Sequence, residues 1–181
     1  SRLRDPSRAR QWAVGITAAT MVVSLIAWQD FQWLAVKQAD DRWHLMTLVL
    51  GRELFSVDQL SAPLLPLATL LFFLTTVTTM KTKIRRFSFA WSLLAEANLL
   101  AMFSCREPWP LIVFMGLGTI LPYLELRARR KPTRVYVFHM ALYVGLLVMG
   151  ETFVEREGPD TLHSLWALLP LLTAVFIRSG I

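Results

Sequence analysis

Phe87–Ser104 reads FSFAWSLLAEANLLAMFS, an apolar run with one carboxylate, Glu96, at its middle. A tight polar joint, Cys105–Pro110 (CREPWP), leads straight into a second apolar run, Leu111–Leu126. Both runs are too long and too continuously apolar for barrel strands. Backbone groups in lipid must be satisfied within the segment, so each is expected to be a helix. An ionisable side chain at membrane depth is costly and by default marks a proton or ion route. The fold therefore turns on whether the rest of the chain belongs in a bilayer.

Composition says that it does. Of 181 residues 55% are hydrophobic and the mean hydropathy is +0.47, more apolar than a water-covered domain of this length allows. A hydrocarbon core of about 30 Å needs roughly 20 helical residues. Six segments approach that length: Gln11–Trp28, Leu60–Met80, Phe87–Ser104, Trp109–Leu126, Val135–Val154 and Leu162–Arg178. Tilt and neighbouring helices compensate for the shorter ones. The expected fold class is all-α, a polytopic transmembrane bundle of about six spans, read as one transmembrane domain over residues 1–181. The chain starts without Met and stops just past Arg178, which reads as a piece of a longer polypeptide.

The net charge of +6 is not spread as a nucleic-acid surface would spread it. Arg2, Arg4, Arg8 and Arg10 form one basic cluster, Lys81, Lys83, Arg85 and Arg86 a second, and Arg127, Arg129, Arg130, Lys131 and Arg134 a third. These flank apolar segments in alternate loops, while the loops between them hold most of the acids: Asp30, Asp40, Asp41, Glu53, Asp58, Glu107, Glu151, Glu155, Glu157 and Asp160. That alternation is the positive-inside pattern. It places the basic loops in the cytoplasm, or in the equivalent compartment of an organelle, for a protein of a bacterial cell membrane or an organelle inner membrane. Residues 30–59 form a long outer loop. Its Trp43, Leu45, Met46, Leu48, Val49 and Leu50 stand beside charged residues, as in a segment lying along the membrane surface. Trp28, Trp33, Trp43, Trp91, Trp109 and Trp166 fall mostly near span ends, as an aromatic belt requires. Pro63, Pro66, Pro122 and Pro170 are placed to kink helices or free carbonyls.

The chemistry-bearing residues are few. An ionised Glu96 needs a cation or a water chain beside it, or else it carries a proton. Either it relays protons, or it is polar glue that hydrogen-bonds a neighbouring helix through groups such as Asn98 or Ser92. Arg178 follows the apolar LWALLPLLTAVFI and reads as a snorkelling anchor if the helix ends there. His139, one turn into VYVFHMALYV, has the chemistry of a proton shuttle or of a haem or pigment ligand. Gly116, Gly118 and Thr119 make a small-residue surface suited to close helix packing. The single cysteine, Cys105, excludes an internal disulfide, and no His/Cys spacing supports a metal site. No phosphate-binding loop or catalytic triad is present, and no cofactor is expected.

Three stretches resemble a known family. LFSVDQLSAPLLPLATLL (Leu54–Leu71), with its D-x-L-S entry into a helix, is similar to the antiporter-like membrane subunits of proton-pumping NADH:quinone oxidoreductase (complex I) and of Mrp-type cation/proton antiporters. LLAEANLLAMFSCREPWPLIVFMGLGTILPYLEL (Leu93–Leu126) resembles that family's helix pair, and AVFIRSGI resembles its segment bearing an intramembrane Lys. The resemblance implies a membrane subunit of a larger assembly, with other membrane subunits, the bilayer and protons or monovalent cations as partners. It would give Glu96 the role of relay carboxylate, match Asp58 to the D-x-L-S acid and put Arg178 at the lysine position. Two departures stand out. The family's second-helix glutamate falls at Gly116 or Leu117, and Arg, which stays charged, replaces a Lys that must lose its proton. The alternative is a structural subunit that keeps the fold without transport. A pigment- or haem-binding protein built on His139 is a further rival.

Overall fold

The structure is a computed structural model that describes residues 6–34, 38–40, 54–79, 89–157 and 165–180. It is helical except for one small sheet. In chain order the elements are α1 (Pro6–Leu34), β1 (Gln38–Asp40), β2 (Ser56–Asp58), α2 (Ser61–Thr78), α3 (Phe89–Ser104), α4 (Pro108–Ala128), α5 (Arg134–Glu157) and α6 (Leu165–Ser179). Helices occupy all six expected places. Four of them, α1, α2, α4 and α5, are long and apolar enough to cross a membrane. With 16 and 15 residues, α3 and α6 extend only about 24 and 22 Å. Among the described residues, four helices thus meet the length and composition of a span. The chain is compatible with an integral membrane protein.

The region read as an outer loop holds some regular structure. Asp30–Leu34 continue α1, and β1 pairs antiparallel with β2 in the register Gln38↔Asp58, Ala39↔Val57, Asp40↔Ser56. Strands this short carry no alternating pattern, so the sheet was invisible in the sequence. The apolar segment Trp43–Leu50, Trp166's side chain and the basic cluster Lys81–Arg86 lie outside the described residues.

Two compact units divide the chain, Ser1–Arg106 and Glu107–Ile181. In the first, α1, α2 and α3 pack on one another. Arg10 Nη2 donates to the Val77 carbonyl at 2.8 Å, so the start of α1 meets the end of α2 and the two run antiparallel. That guanidinium also sits where the last carbonyls of α2 concentrate negative charge. α1 turns Ala13, Thr17, Ser24 and Phe31 inward, and α2 turns Ala62, Leu65, Ala68, Thr69 and Thr76. Small residues let the backbones approach, and the Ser24 and Thr69 hydroxyls bond each other across the seam at 2.8 Å. Outward, α1 and α2 expose Val22, Val23, Ile26, Leu67, Leu71 and Leu74. A small, partly polar inside with a Leu/Val outside is the distribution that lipid selects. Trp12 and Trp33, both exposed, sit about 32 Å apart along α1, close to the hydrocarbon thickness.

In the second unit, α5 packs between α4 and α6. Ile112, Tyr143, Leu147 and Ala174 form its core, joined by Met115, Val144, Leu171 and Ile177. On α4, Ile112, Met115, Gly116 and Thr119 repeat at helical spacing and face α5, with Val144 Cγ2 3.9 Å from where a Gly116 Cβ would stand. The Tyr136 hydroxyl donates to the Thr119 carbonyl at 2.8 Å, and the Trp109 indole N–H donates to Glu155. α6 comes close to α5 at Gly150: a Cβ there would stand 2.6 Å from Leu171 Cγ. Pro66, Pro122 and Pro170 lie inside α2, α4 and α6, each removing one intrahelical hydrogen bond.

Candidate functional site

Glu96 stands at the midpoint of α3 and is 3% exposed. α3 buries only Phe89 and Glu96, seven residues apart and hence on one face. The helix is held at its far end by the backbone. The Arg106 N–H donates to the Leu54 carbonyl at 2.9 Å, and Phe55 pairs with Cys105 in an antiparallel bridge. Since β2 packs on both α2 and α3, the end of α3 lies beside the start of α2, and these helices are antiparallel too. Glu96 is nine residues from Cys105, about 13 Å, and Thr69 is eight from Ser61, about 12 Å. The carboxyl therefore lies at the depth of the Ser24–Thr69 hydroxyl pair, inside the unit that contains both.

Its bonding separates it from the buried hydroxyls there, and Arg10 Nε is the other buried side-chain atom without a partner among the described residues. Thr17 donates to the Ala13 carbonyl at 3.0 Å and Thr76 to the Phe72 carbonyl at 2.8 Å. Of Ser24 and Thr69, one donates to the other across the seam and the second donates to a carbonyl of its own helix, Met21 or Pro66. Each of these hydroxyls has a partner. Glu96 Oε1, by contrast, has no hydrogen-bond partner among the described residues. The glue reading asked Asn98 to help, and the Asn98 amide is directed to the Met102 sulfur at 3.8 Å along α3.

Asp58 has a structural task. Its Oδ1 accepts the backbone N–H of Ser61 at 2.6 Å and of Leu60 at 3.1 Å, while Ser61 Oγ accepts the Asp58 N–H at 2.9 Å. This reciprocal pair has the bonding of a capping box and holds the turn that leads into the first residue of α2. The Ser61 backbone bond above all, with that of its side chain, holds the Asp58 carboxyl below its ordinary value of 3.8 against a smaller opposing effect of burial. The D-x-L-S motif thus reads physically as a helix start.

Arg178 lies in the last turn of α6, exposed. Its guanidinium carbon is 5.6 Å from the centre of the Tyr143 ring and its Nη1 is 3.6 Å from the Met140 sulfur. Met140 is six residues into α5, about 9 Å from that helix's start, within reach of a snorkelling side chain. His139 is exposed on α5. Its Nδ1 lies 2.8 Å from the Val135 carbonyl, so the ring donates there and leaves Nε2 as an acceptor. Glu96 and Asp58 belong to the first unit, Arg178 and His139 to the second.

Among the described residues no three His, Cys, Asp or Glu side chains gather as metal ligands would. The hydroxyl seam Thr17, Ser24, Thr69, Thr76 and the Arg10 cap escaped the sequence reading. Their signal was the seven-residue spacing of Arg10, Thr17, Ser24 and Phe31, matched by Ala62, Thr69 and Thr76. No family model, curated protein or solved structure matches this chain.

Proposed function

We propose that this chain is a helical membrane subunit in which Glu96 takes up and releases protons as part of a proton- or cation-translocating assembly. The observation that carries this reading is the buried Glu96 Oε1 with no partner among the described residues. A structural carboxyl is normally retained together with the donor it satisfies. A transport site instead leaves an acceptor open for a proton, a water or a cation that comes and goes. The Ser24–Thr69 pair at the same depth offers hydroxyls on which water can be held. The basic ends of the helices face the cytoplasm in this reading. The antiporter-like resemblance supports a multi-subunit setting of the complex I, Mrp or inorganic-carbon-uptake kind.

The test is Glu96→Gln in the intact assembly, reconstituted in liposomes with a trapped pH dye. Proton flux should fall to the background of empty liposomes, and Glu96→Asp should restore part of it. Unchanged flux in Glu96→Gln would sink the relay.

A scaffold that has kept the fold without transport is the second reading. It is favoured by the tasks of the other candidates: Asp58 caps α2, Arg178 rests on Tyr143 and Met140, and no charge stands at Gly116 or Leu117.

A further inference from the structure

The turn between α4 and α5 puts five cations into eight residues, Arg127, Arg129, Arg130, Lys131 and Arg134, all exposed. One acid stands near them, Glu125, and it pairs with Arg129. Among the described residues Arg127, Arg130, Lys131 and Arg134 have no carboxylate partner. α6 returns antiparallel to α5, so Arg178 joins the same end of this unit, where its guanidinium donates only to the Met140 sulfur among the described residues. The opposite end carries Glu107, Glu151 and Glu155. The second unit is therefore electrically polarised along its helices.

The backbone of the turn adds a second observation. The Lys131 N–H bonds the Leu126 carbonyl at 3.1 Å and the Arg130 N–H bonds that of Arg127 at 3.0 Å, the two bonds of a Schellman motif. Its left-handed position, where glycine is the usual occupant, is held by Arg130 at φ 54°. A cation stands where the backbone alone would select no side chain at all. Directly beyond the cations, Val135 and Phe138 are 69% and 67% exposed. Charge above and bare aliphatic and aromatic surface below is the profile of a phospholipid, phosphate over acyl chain. An acidic peptide or a nucleic acid would match the charge and leave that apolar step uncovered.

We propose that this turn, with Arg134 and Arg178 at its flank, is a binding site for anionic phospholipid headgroups, the acyl chains lying on Val135 and Phe138. The proposal is independent of any role for Glu96. Its energy is electrostatic, at about fivefold in affinity per cation near an anionic surface at low salt.

The experiment uses the full chain in detergent, titrated with mixed micelles of phosphatidylcholine or phosphatidylglycerol carrying a headgroup quencher of tryptophan. The parent should bind phosphatidylglycerol well above phosphatidylcholine, and the preference should fade with added salt. Replacing Arg127, Arg130, Lys131 and Arg134 by Gln should abolish it, and retention of the preference by that variant overturns the site. Arg130→Gly removes one cation while relaxing the turn, so it should weaken binding about fivefold without loss of fold. Equal binding of the two lipids by the parent, or unchanged affinity in Arg130→Gly, also refutes the proposal.

Discussion

Replacing Glu96 by Leu separates the relay from the glue by the sign of a stability change. Glu96 is 3% exposed, and its Oε1 has no partner among the described residues. A buried polar atom in that state forgoes about 1–3 kcal/mol of hydration that nothing in the fold returns. Leu is of similar bulk and brings no polar atom, so Glu96→Leu should stabilise the protein by about 1–3 kcal/mol. For a chain of this size, that raises the midpoint by roughly 2–4 °C per kcal/mol. The assay is thermal unfolding of the detergent-solubilised chain followed by tryptophan fluorescence, in parallel with proton flux in liposomes. A more stable protein that no longer conducts is the expected result, the usual exchange of stability for an active group. If Glu96 were glue, its removal would strand a donor on a neighbouring helix and lower the midpoint by a similar amount. A lower midpoint in Glu96→Leu therefore refutes the argument from the open oxygen.

The close approach at Gly150 predicts that Gly150→Ala loses about 1–3 kcal/mol through overpacking against Leu171. Gly145→Ala, where nothing stands within 4 Å, gains about 0.5–1 kcal/mol from helix propensity, and two alanine midpoints moving the same way would contradict this. Asp58→Ala should cost about 0.5–2 kcal/mol by loss of the α2 cap. Because the folded Asp58 carboxyl lies below its ordinary 3.8, its contribution is complete above that pH and disappears as pH falls through the lower folded value. Thermal midpoints of the parent should therefore drop in that acid range more than those of Asp58→Asn, and parallel curves would refute the assignment. Arg130→Gly should raise the midpoint, since a non-glycine residue at φ 54° gives up about 1–2 kcal/mol, so a variant less stable than the parent would show that Arg130 makes contacts the turn depends on.

How much the sequence could say depended on which force shaped each feature. Helices at all six places follow from apolar length alone, which is a property of composition. What apolar length does not record is the described extent of α3 and α6, 16 and 15 residues. The stop of α3 rests on a backbone pairing of Cys105 and Arg106 with Leu54 and Phe55, fifty residues earlier. No local pattern records that. Asp58 was legible in a different sense: Asp and Ser three apart ahead of an apolar helix are residues that hydrogen-bond the backbone of a helix-leading turn, and that physical reading was available beside the family one. Glu96 was legible because charge in an apolar run needs no tertiary information to be noticed. Gly150 was not, since a glycine in a lipid-facing helix gives the same signal whether a Leu171 side chain stands against it or open space does.

The contrast between Glu96 and the hydroxyls around it has a chemical origin in helical geometry. A mid-helix residue sees only carbonyls that can take a further bond, because the backbone N–H groups are already committed to the turn before. Serine and threonine can use those carbonyls, as Thr17 and Thr76 do, or share a proton with another hydroxyl, as Ser24 and Thr69 do. A carboxylate cannot, because it only accepts. It becomes a donor to such carbonyls by gaining a proton, and gives that bond up on losing it. Glu96 is thus the buried side chain of the first unit whose hydrogen bonding has to change when a proton arrives. The Ser24–Thr69 bond ties α1 to α2, and the Glu96 carboxyl is the group whose bonding depends on a proton.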